Sequence, residues 1–193
     1  MFFLVHISKP CKSACDEDEQ QMHDFWVFGY GSLMWNPGFT YDFMSPARLY
    51  GYHRSLCIYS NHYRGTVENP GLVLGLDRGG CCDGLAFHVP VEDTKKTYDY
   101  LIKREQVNSV YIEKLKPIHL KDGRIVNGLF FVADHSHEQY AKKLDRENMA
   151  LIIRQSHGLA GSNVEYVVNT AASLRKMGIP DRSLEKLAKL LQN

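Results

Sequence analysis

No apolar run in this 193-residue chain approaches the ~18 residues that a membrane-spanning helix requires. Met1 to Ile7 is apolar, but it is too short for the hydrophobic core of a secretory signal and lacks a cationic start. Charge of one sign is missing too: 23 Lys and Arg against 22 Asp and Glu leave a formal net charge of +1. With acids and bases interspersed and no basic stripe, a nucleic-acid partner is not expected. The five cysteines are an odd number, and Cys81 and Cys82 are adjacent, so they do not read as a disulfide framework. Cys11 and Cys15 have no second ligand pair, and His135 and His137 stand two apart with the same weakness, so no metal is expected. These absences point to a cytoplasmic protein.

Two familiar fingerprints are missing as well. A dinucleotide site needs Gly-x-Gly-x-x-Gly opening a helix, and Met34 stands where the third glycine belongs. A hydrolase nucleophile elbow needs Gly-x-Ser-x-Gly, and Ser32 is flanked at those positions by Tyr30 and Met34.

What is present begins at Phe25-Trp26-Val27-Phe28, an apolar run sized for one buried strand, which ends in Gly29-Tyr30-Gly31-Ser32-Leu33. Two glycines let the backbone take positive φ and let a ligand approach the bare main chain. Successive exposed N–H groups in such a turn form an anion-binding nest. The 44% hydrophobic content supplies one domain with a sizeable core. Residues 1–24, with the acidic run Asp16 to Glu19, are expected to be a tail, and 25–193 a single domain.

Along that domain, 47–59 is β-prone and 60–71 loop-like. Leu72–Leu76 and Gly84–Val89 read as a hairpin turning at Asp77-Arg78-Gly79-Gly80. A second hairpin, from Val110–Leu115 to Leu129–Val132, turns at Asp122-Gly123. Helices are expected near Pro90–Glu105, over His137–Gln155 behind Ser136, behind the capping box Ser162-Asn163-Val164-Glu165, and after Ser183. Antiparallel strands followed by helices indicate an α+β fold with a small, strongly curved or closed, mainly antiparallel β-barrel.

The helix ending at Glu105 carries an anomaly. Its apolar stripe reads Tyr98, Leu101, Ile102, and the next position on that stripe is Glu105. Two readings stand. The helix end frays, or Arg104 neutralises the acid; alternatively the carboxylate is partly desolvated with a raised pKa, which suits a general base near neutral pH.

Val27-Phe28-Gly29-Tyr30-Gly31-Ser32-Leu33-Met34-Trp35 taken with Arg104-Glu105 resembles the ChaC-like γ-glutamylcyclotransferases. The similarity runs from about Trp26 to Lys176 and includes Gly51-Tyr52, Arg64-Gly65, Gly84-Leu85-Ala86-Phe87 and Ser162 to Val167. Arg104-Glu105-Gln106 with Tyr111 following is closer to the bacterial branch. The resemblance implies a barrel-like core with flanking helices and a cofactor-free, lyase-type reaction. In that reaction the α-amine of a γ-glutamyl group attacks its own γ-carbonyl. For glutathione the products are 5-oxoproline and Cys-Gly.

By motif position Glu105 is then the catalytic acid/base. The main chain from Tyr30 through Gly31 and Ser32 to Leu33 holds the substrate's α-carboxylate or the oxyanion, and Tyr166 lines the pocket. Arg64 is a candidate for the glycine carboxylate. Cyclisation of other γ-glutamyl peptides or amides, a non-catalytic role in regulating cation transport, and a Ser32 hydrolase are the competing functions. The sequence is silent on oligomeric state.

Overall fold

The computed structural model describes residues 25–105 and 109–193. The tail expected over 1–24 and the residues Gln106, Val107 and Asn108 lie outside the described residues, as do Cys11 and Cys15.

Five strands close into a barrel: β1 (Phe25–Gly29), β2 (Phe43–Ser60), β3 (Gly71–Val89), β4 (Tyr111–Leu120) and β5 (Ile125–Ala133), in the order β1-β3-β2-β4-β5. Four of the ladders are antiparallel, and a short parallel one between β1 and β5, at Trp26↔Gly128 and Val27↔Leu129, closes the ring. The α+β barrel expected from the sequence is therefore the fold observed. Around it lie α1 (Thr94–Glu105), α2 (Arg146–Gln155), α3 (Asn163–Lys176) and α4 (Arg182–Gln192). No helix among the described residues is long and apolar enough to cross a membrane.

Alternation along β1 splits the core. Trp26 and Phe28 join the main cluster with Phe87, Phe130 and Leu76, whereas Val27 joins a second cluster with Leu33, Leu101, Leu129 and Phe131. This second cluster seats α1 through fully buried Leu101, a burial worth about 1.5–3 kcal/mol.

Three local expectations need correction. Asp77-Arg78-Gly79-Gly80 is no turn: β3 runs through it as one 19-residue strand paired with β2. Gly79 and Gly80 take positive φ there, and Gly51 does so in the facing strand, where the register shifts between Tyr50 and Tyr52. Glycine marks a bulge and bend rather than a reversal. The reversal itself lies at 61–70.

The helix expected from His137 begins only at Arg146, capped by Asp145, whose carboxylate accepts from Asn148 N at 2.7 Å. Ser136 is held instead by Asp134 Oδ1. Residues 139–141 are drawn to β2 through Tyr59 N to Gln139 O (2.8 Å) and Ala141 N to Cys57 O (2.8 Å), so tertiary pairing overrides helix propensity.

The phase of α1 is also shifted. Its buried residues are Thr97 and Leu101, while Tyr98 is 38% exposed and donates to Glu113 Oε2. Glu105 follows Leu101 by four and Thr97 by eight, so it still ends the buried stripe.

Candidate active site

The turn after β1 is built from its anchors. Leu33 and Met34 are buried, and Met34 N donates to Gly31 O (2.9 Å) to close a single 3₁₀ turn over Ser32–Met34. Neither Gly29 nor Gly31 takes the positive φ expected of them; Gly31 has φ −139°. The backbone is nonetheless open to a ligand. The amides of Gly31, Ser32 and Leu33 donate to no partner among the described residues, and all three residues line one cavity of about 510 Å³. That volume falls within the ~300–1,000 Å³ of small-molecule pockets.

Arg104 fastens the turn to α1. Its guanidinium reaches Ser32 Oγ (2.9 Å), the carbonyls of Asn36 (2.8 Å) and Pro37 (3.1 Å), and the Tyr100 hydroxyl (2.8 Å). The chain passes Tyr100 only because residue 38 is glycine: φ is +76°, and a Cβ there would sit 2.1 Å from the Tyr100 oxygen. Ser32 Oγ accepts a bond from Arg104 and donates to no base among the described residues, an arrangement that does not activate a nucleophilic serine.

Glu105 lines the same cavity, with its side chain 18% exposed. Burial raises its pKa above the ordinary glutamate value, and Arg104, with Nε 3.4 Å from Glu105 Oε1, opposes this only in part. The neutralisation by Arg104 considered from the sequence is thus present but incomplete.

The opposite wall grows from an unpaired sheet edge. β1 pairs with β3 only at residues 85–89, so near Leu72 and Leu74 that edge of β3 lacks a strand partner among the described residues. Side chains take the strand's place. Asn163, fully buried at the start of α3, accepts from Leu72 N (2.7 Å) and donates to Leu72 O (2.8 Å). Two residues on, the Tyr166 hydroxyl accepts from Leu74 N (3.1 Å) and the Tyr111 hydroxyl donates to Leu74 O (2.9 Å). The period of two along β3 thus brings Tyr166 and Tyr111 together on the cavity wall.

Burial pushes the phenols of Tyr30, Tyr111 and Tyr166 above their usual pKa, so all three stay protonated at neutral pH. Tyr166 accepts from Leu74, and its own proton has no acceptor among the described residues, so it can be offered to a ligand. Tyr111 has given its proton to Leu74 O, and its oxygen is left to accept. Arg64 closes the rim, stacked 5.2 Å from the Tyr166 ring centroid and bonded to the Ala160 carbonyl.

One cavity therefore brings together the site residues picked from the sequence: Tyr30, Gly31, Ser32, Leu33, Arg64, Glu105 and Tyr166. Sequence reasoning gave no site role to Tyr111, Asn163 or Leu74. Asn163 enters the sequence pattern only as the second residue of the capping box, whose N-cap is Ser162, with Oγ accepting from Val164 N. A larger cavity of about 680 Å³ lies where Arg48, His119 and Met177 meet. Its one acid, Asp83, is bonded to Arg48, which holds it below the usual carboxylate range. His135 and His137 do not converge: His135 bonds Asp77 and His137 takes the amide of Gln139.

The ChaC-like protein family model matches residues 25–193. A glutathione-specific gamma-glutamylcyclotransferase of Escherichia coli (strain K12) is 34% identical over 174 residues, covering 90% of this chain and 74% of its own length. Glutathione-specific gamma-glutamylcyclotransferase 1 of Homo sapiens is 32% identical over 180 residues, 91% of this chain and 79% of its own. Among solved structures, a yeast gamma-glutamyl cyclotransferase specific to glutathione superposes with a TM-score of 0.79 at 23% identity, covering 88% of this chain and 96% of that one; this last likeness bears on the fold.

Proposed function

The chain belongs to the ChaC-like family, and from that premise we propose that it is a gamma-glutamylcyclotransferase converting glutathione to 5-oxoproline and Cys-Gly. The observation that carries the proposal is a carboxylate with a burial-raised pKa that lines one cavity with a turn whose main-chain amides have no partner among the described residues.

Glutathione arrives as an ammonium, which cannot attack a carbonyl. Glu105 takes one of its protons, and the freed amine adds to the γ-carbonyl of the same molecule. The tetrahedral intermediate collapses with the C–N bond to cysteine breaking as Glu105 gives that proton to the leaving nitrogen. Glu105 then relays the surplus proton of the ring nitrogen to the released amine, leaving a neutral lactam and the ammonium of Cys-Gly. No water enters, and atoms balance between one substrate and two products. A single carboxylate serves both steps. Acid–base help of this kind is worth roughly 10²–10⁴-fold. Because nucleophile and electrophile share a molecule, the cavity's other task is to hold the folded conformer.

In this reading the amides of Gly31, Ser32 and Leu33 take the α-carboxylate, an anion held by a main-chain nest. The free Tyr166 proton is directed to the γ-carbonyl oxygen as charge develops on it, and the Tyr111 oxygen accepts from the ammonium. Cys57, Cys81 and Cys82 are free thiols, which suits a reducing, cytoplasmic setting.

The test is product analysis with purified protein, glutathione and ¹⁸O-labelled water. Equal amounts of unlabelled 5-oxoproline and Cys-Gly are expected; free labelled glutamate would show hydrolysis and refute the proposal. Running γ-glutamyl dipeptides alongside tests the glutathione preference.

A further inference from the structure

The peptide between Tyr30 and Gly31 can face the cavity with either its N–H or its C=O. A trans peptide is planar, with those two groups pointing in opposite directions, so fixing one fixes the other. The Tyr30 carbonyl is held by Arg54, whose Nε donates to it at 2.6 Å. Arg54 lies on β2 and does not line the cavity that holds Glu105. It lines a separate one of about 370 Å³ together with Leu56, Asp181 and Leu184. The carbonyl is thus drawn out of the active-site cavity, and the Gly31 N–H is left on the side that Gly31 lines.

The guanidinium itself is firmly placed. Its side chain is 5% exposed. Nη2 donates to Asp83 O (2.7 Å), and Nη1 pairs with Asp181 Oδ2 (3.3 Å). The other Asp181 oxygen caps α4, accepting from Ser183 N and Leu184 N, both at 3.0 Å. A buried guanidinium costs several kcal/mol unless its donors are satisfied, and here two of the three acceptors are carbonyls of the turn and of β3. Packing alone would be met as well by a neutral side chain among Leu56 and Leu184. What needs an arginine is the set of three fixed acceptors.

We propose that Arg54 is a positioning residue: by holding the Tyr30 carbonyl from outside the cavity, it keeps the Gly31 N–H turned toward the substrate's α-carboxylate. Without it the peptide is free to rotate and present a carbonyl oxygen to that anion. The inference rests on the proposed cyclotransferase activity, with the turn as the carboxylate site.

Two substrates separate this role from a merely structural one. Glutathione carries the α-carboxylate; 4-aminobutanoyl-cysteinylglycine lacks only that group and closes the same five-membered ring, giving 2-pyrrolidinone. Wild type should prefer glutathione. In Arg54→Met and Arg54→Lys, kcat/KM for glutathione should fall at least about tenfold, as for loss of one hydrogen bond to a charged group. The loss should appear mainly in KM. The carboxylate-free substrate should change by less than about threefold, so the preference collapses. General damage would lower both rates together, and an unchanged preference ratio overturns the inference. A second measurement needs no variant: in the full-length wild type, saturation with 5-oxoproline should move the Gly31 amide proton downfield, and an unmoved resonance also overturns it. Failure of wild type to release Cys-Gly from glutathione would instead sink the activity on which the inference stands.

Discussion

Replacing Glu105 by Gln exchanges one oxygen for an amino group and leaves size and shape intact, so it removes proton transfer and little else. The general acid–base contribution of roughly 10²–10⁴ in rate corresponds to about 2.7–5.4 kcal/mol of transition-state stabilisation. Release of 5-oxoproline, measured by chromatography at saturating glutathione, should fall by that factor in kcat with KM changed much less. Stability should move the other way. The folded protein holds the Glu105 proton more tightly than the unfolded chain, because burial raises its pKa. Ionised Glu105 therefore costs stability above its folded pKa, and that cost vanishes as pH drops below the unfolded value. The Gln variant should melt at or above wild type near pH 8, and the gap should close toward pH 4. Loss of the Arg104 contact weighs little against this, since Arg104 keeps four other acceptors. Wild-type turnover in Glu105→Gln would refute the acid/base role. Lost activity with a melting point lowered at pH 8 would recast Glu105 as a structural residue.

Two further variants probe the opposite wall. Tyr166→Phe strips the acceptor from Leu74 N–H and the proton meant for the γ-carbonyl oxygen. We expect about 1–3 kcal/mol of lost stability and a fall in kcat of at least about tenfold, whereas a purely structural hydroxyl would leave kcat within about twofold. Asn163→Leu keeps the volume of a fully buried side chain but orphans both Leu72 N–H and Leu72 C=O, for about 2–6 kcal/mol. At ~2–4 °C per kcal/mol, calorimetry should find the melting point lowered by roughly 4–24 °C, and a shift under about 2 °C would show the edge is satisfied some other way.

The parts of the site that local pattern could reveal were those set by spacing within one element. Glycines closing an apolar strand mark the turn, and Glu105 falls on the buried stripe of α1 even though the stripe starts at Thr97 rather than Tyr98. Arg54 was invisible because its partners are scattered: Tyr30 is 24 residues away and Asp181 127. Asn163, Tyr166 and Tyr111 owe their places to a gap in strand pairing at Leu72 and Leu74, and such a gap exists only once the barrel closes. The same limit explains the misread Asp77-Arg78-Gly79-Gly80. Turn-forming residues specify a bend, and long-range pairing with β2 decides that the strand continues.

The adjacency of Arg104 and Glu105 is a problem the fold has had to solve. A full ion pair between them would pull the carboxylate toward or below its ordinary pKa, leaving too weak a base to deprotonate an ammonium. The turn prevents this by occupying the guanidinium elsewhere. Ser32 Oγ, two carbonyls and the Tyr100 hydroxyl take Nη1 and Nη2, and only Nε comes within 3.4 Å of Glu105. The Ser32 hydroxyl then has a use that is neither nucleophilic nor a substrate contact: it keeps Nη2 away from the base. Ser32→Ala frees that nitrogen to turn toward Glu105, strengthening the one influence that lowers its pKa. The acidic limb of the kcat/KM profile, which reports the free enzyme, should shift to lower pH, with a smaller maximal rate because the ionised acid is a weaker base. Titrating activity from pH 4 to 9 in both proteins reads the shift. An acidic limb that stays in place while the rate falls would assign Ser32 to the substrate instead, and a limb moving to higher pH would show that Arg104 is not what restrains the pKa of Glu105.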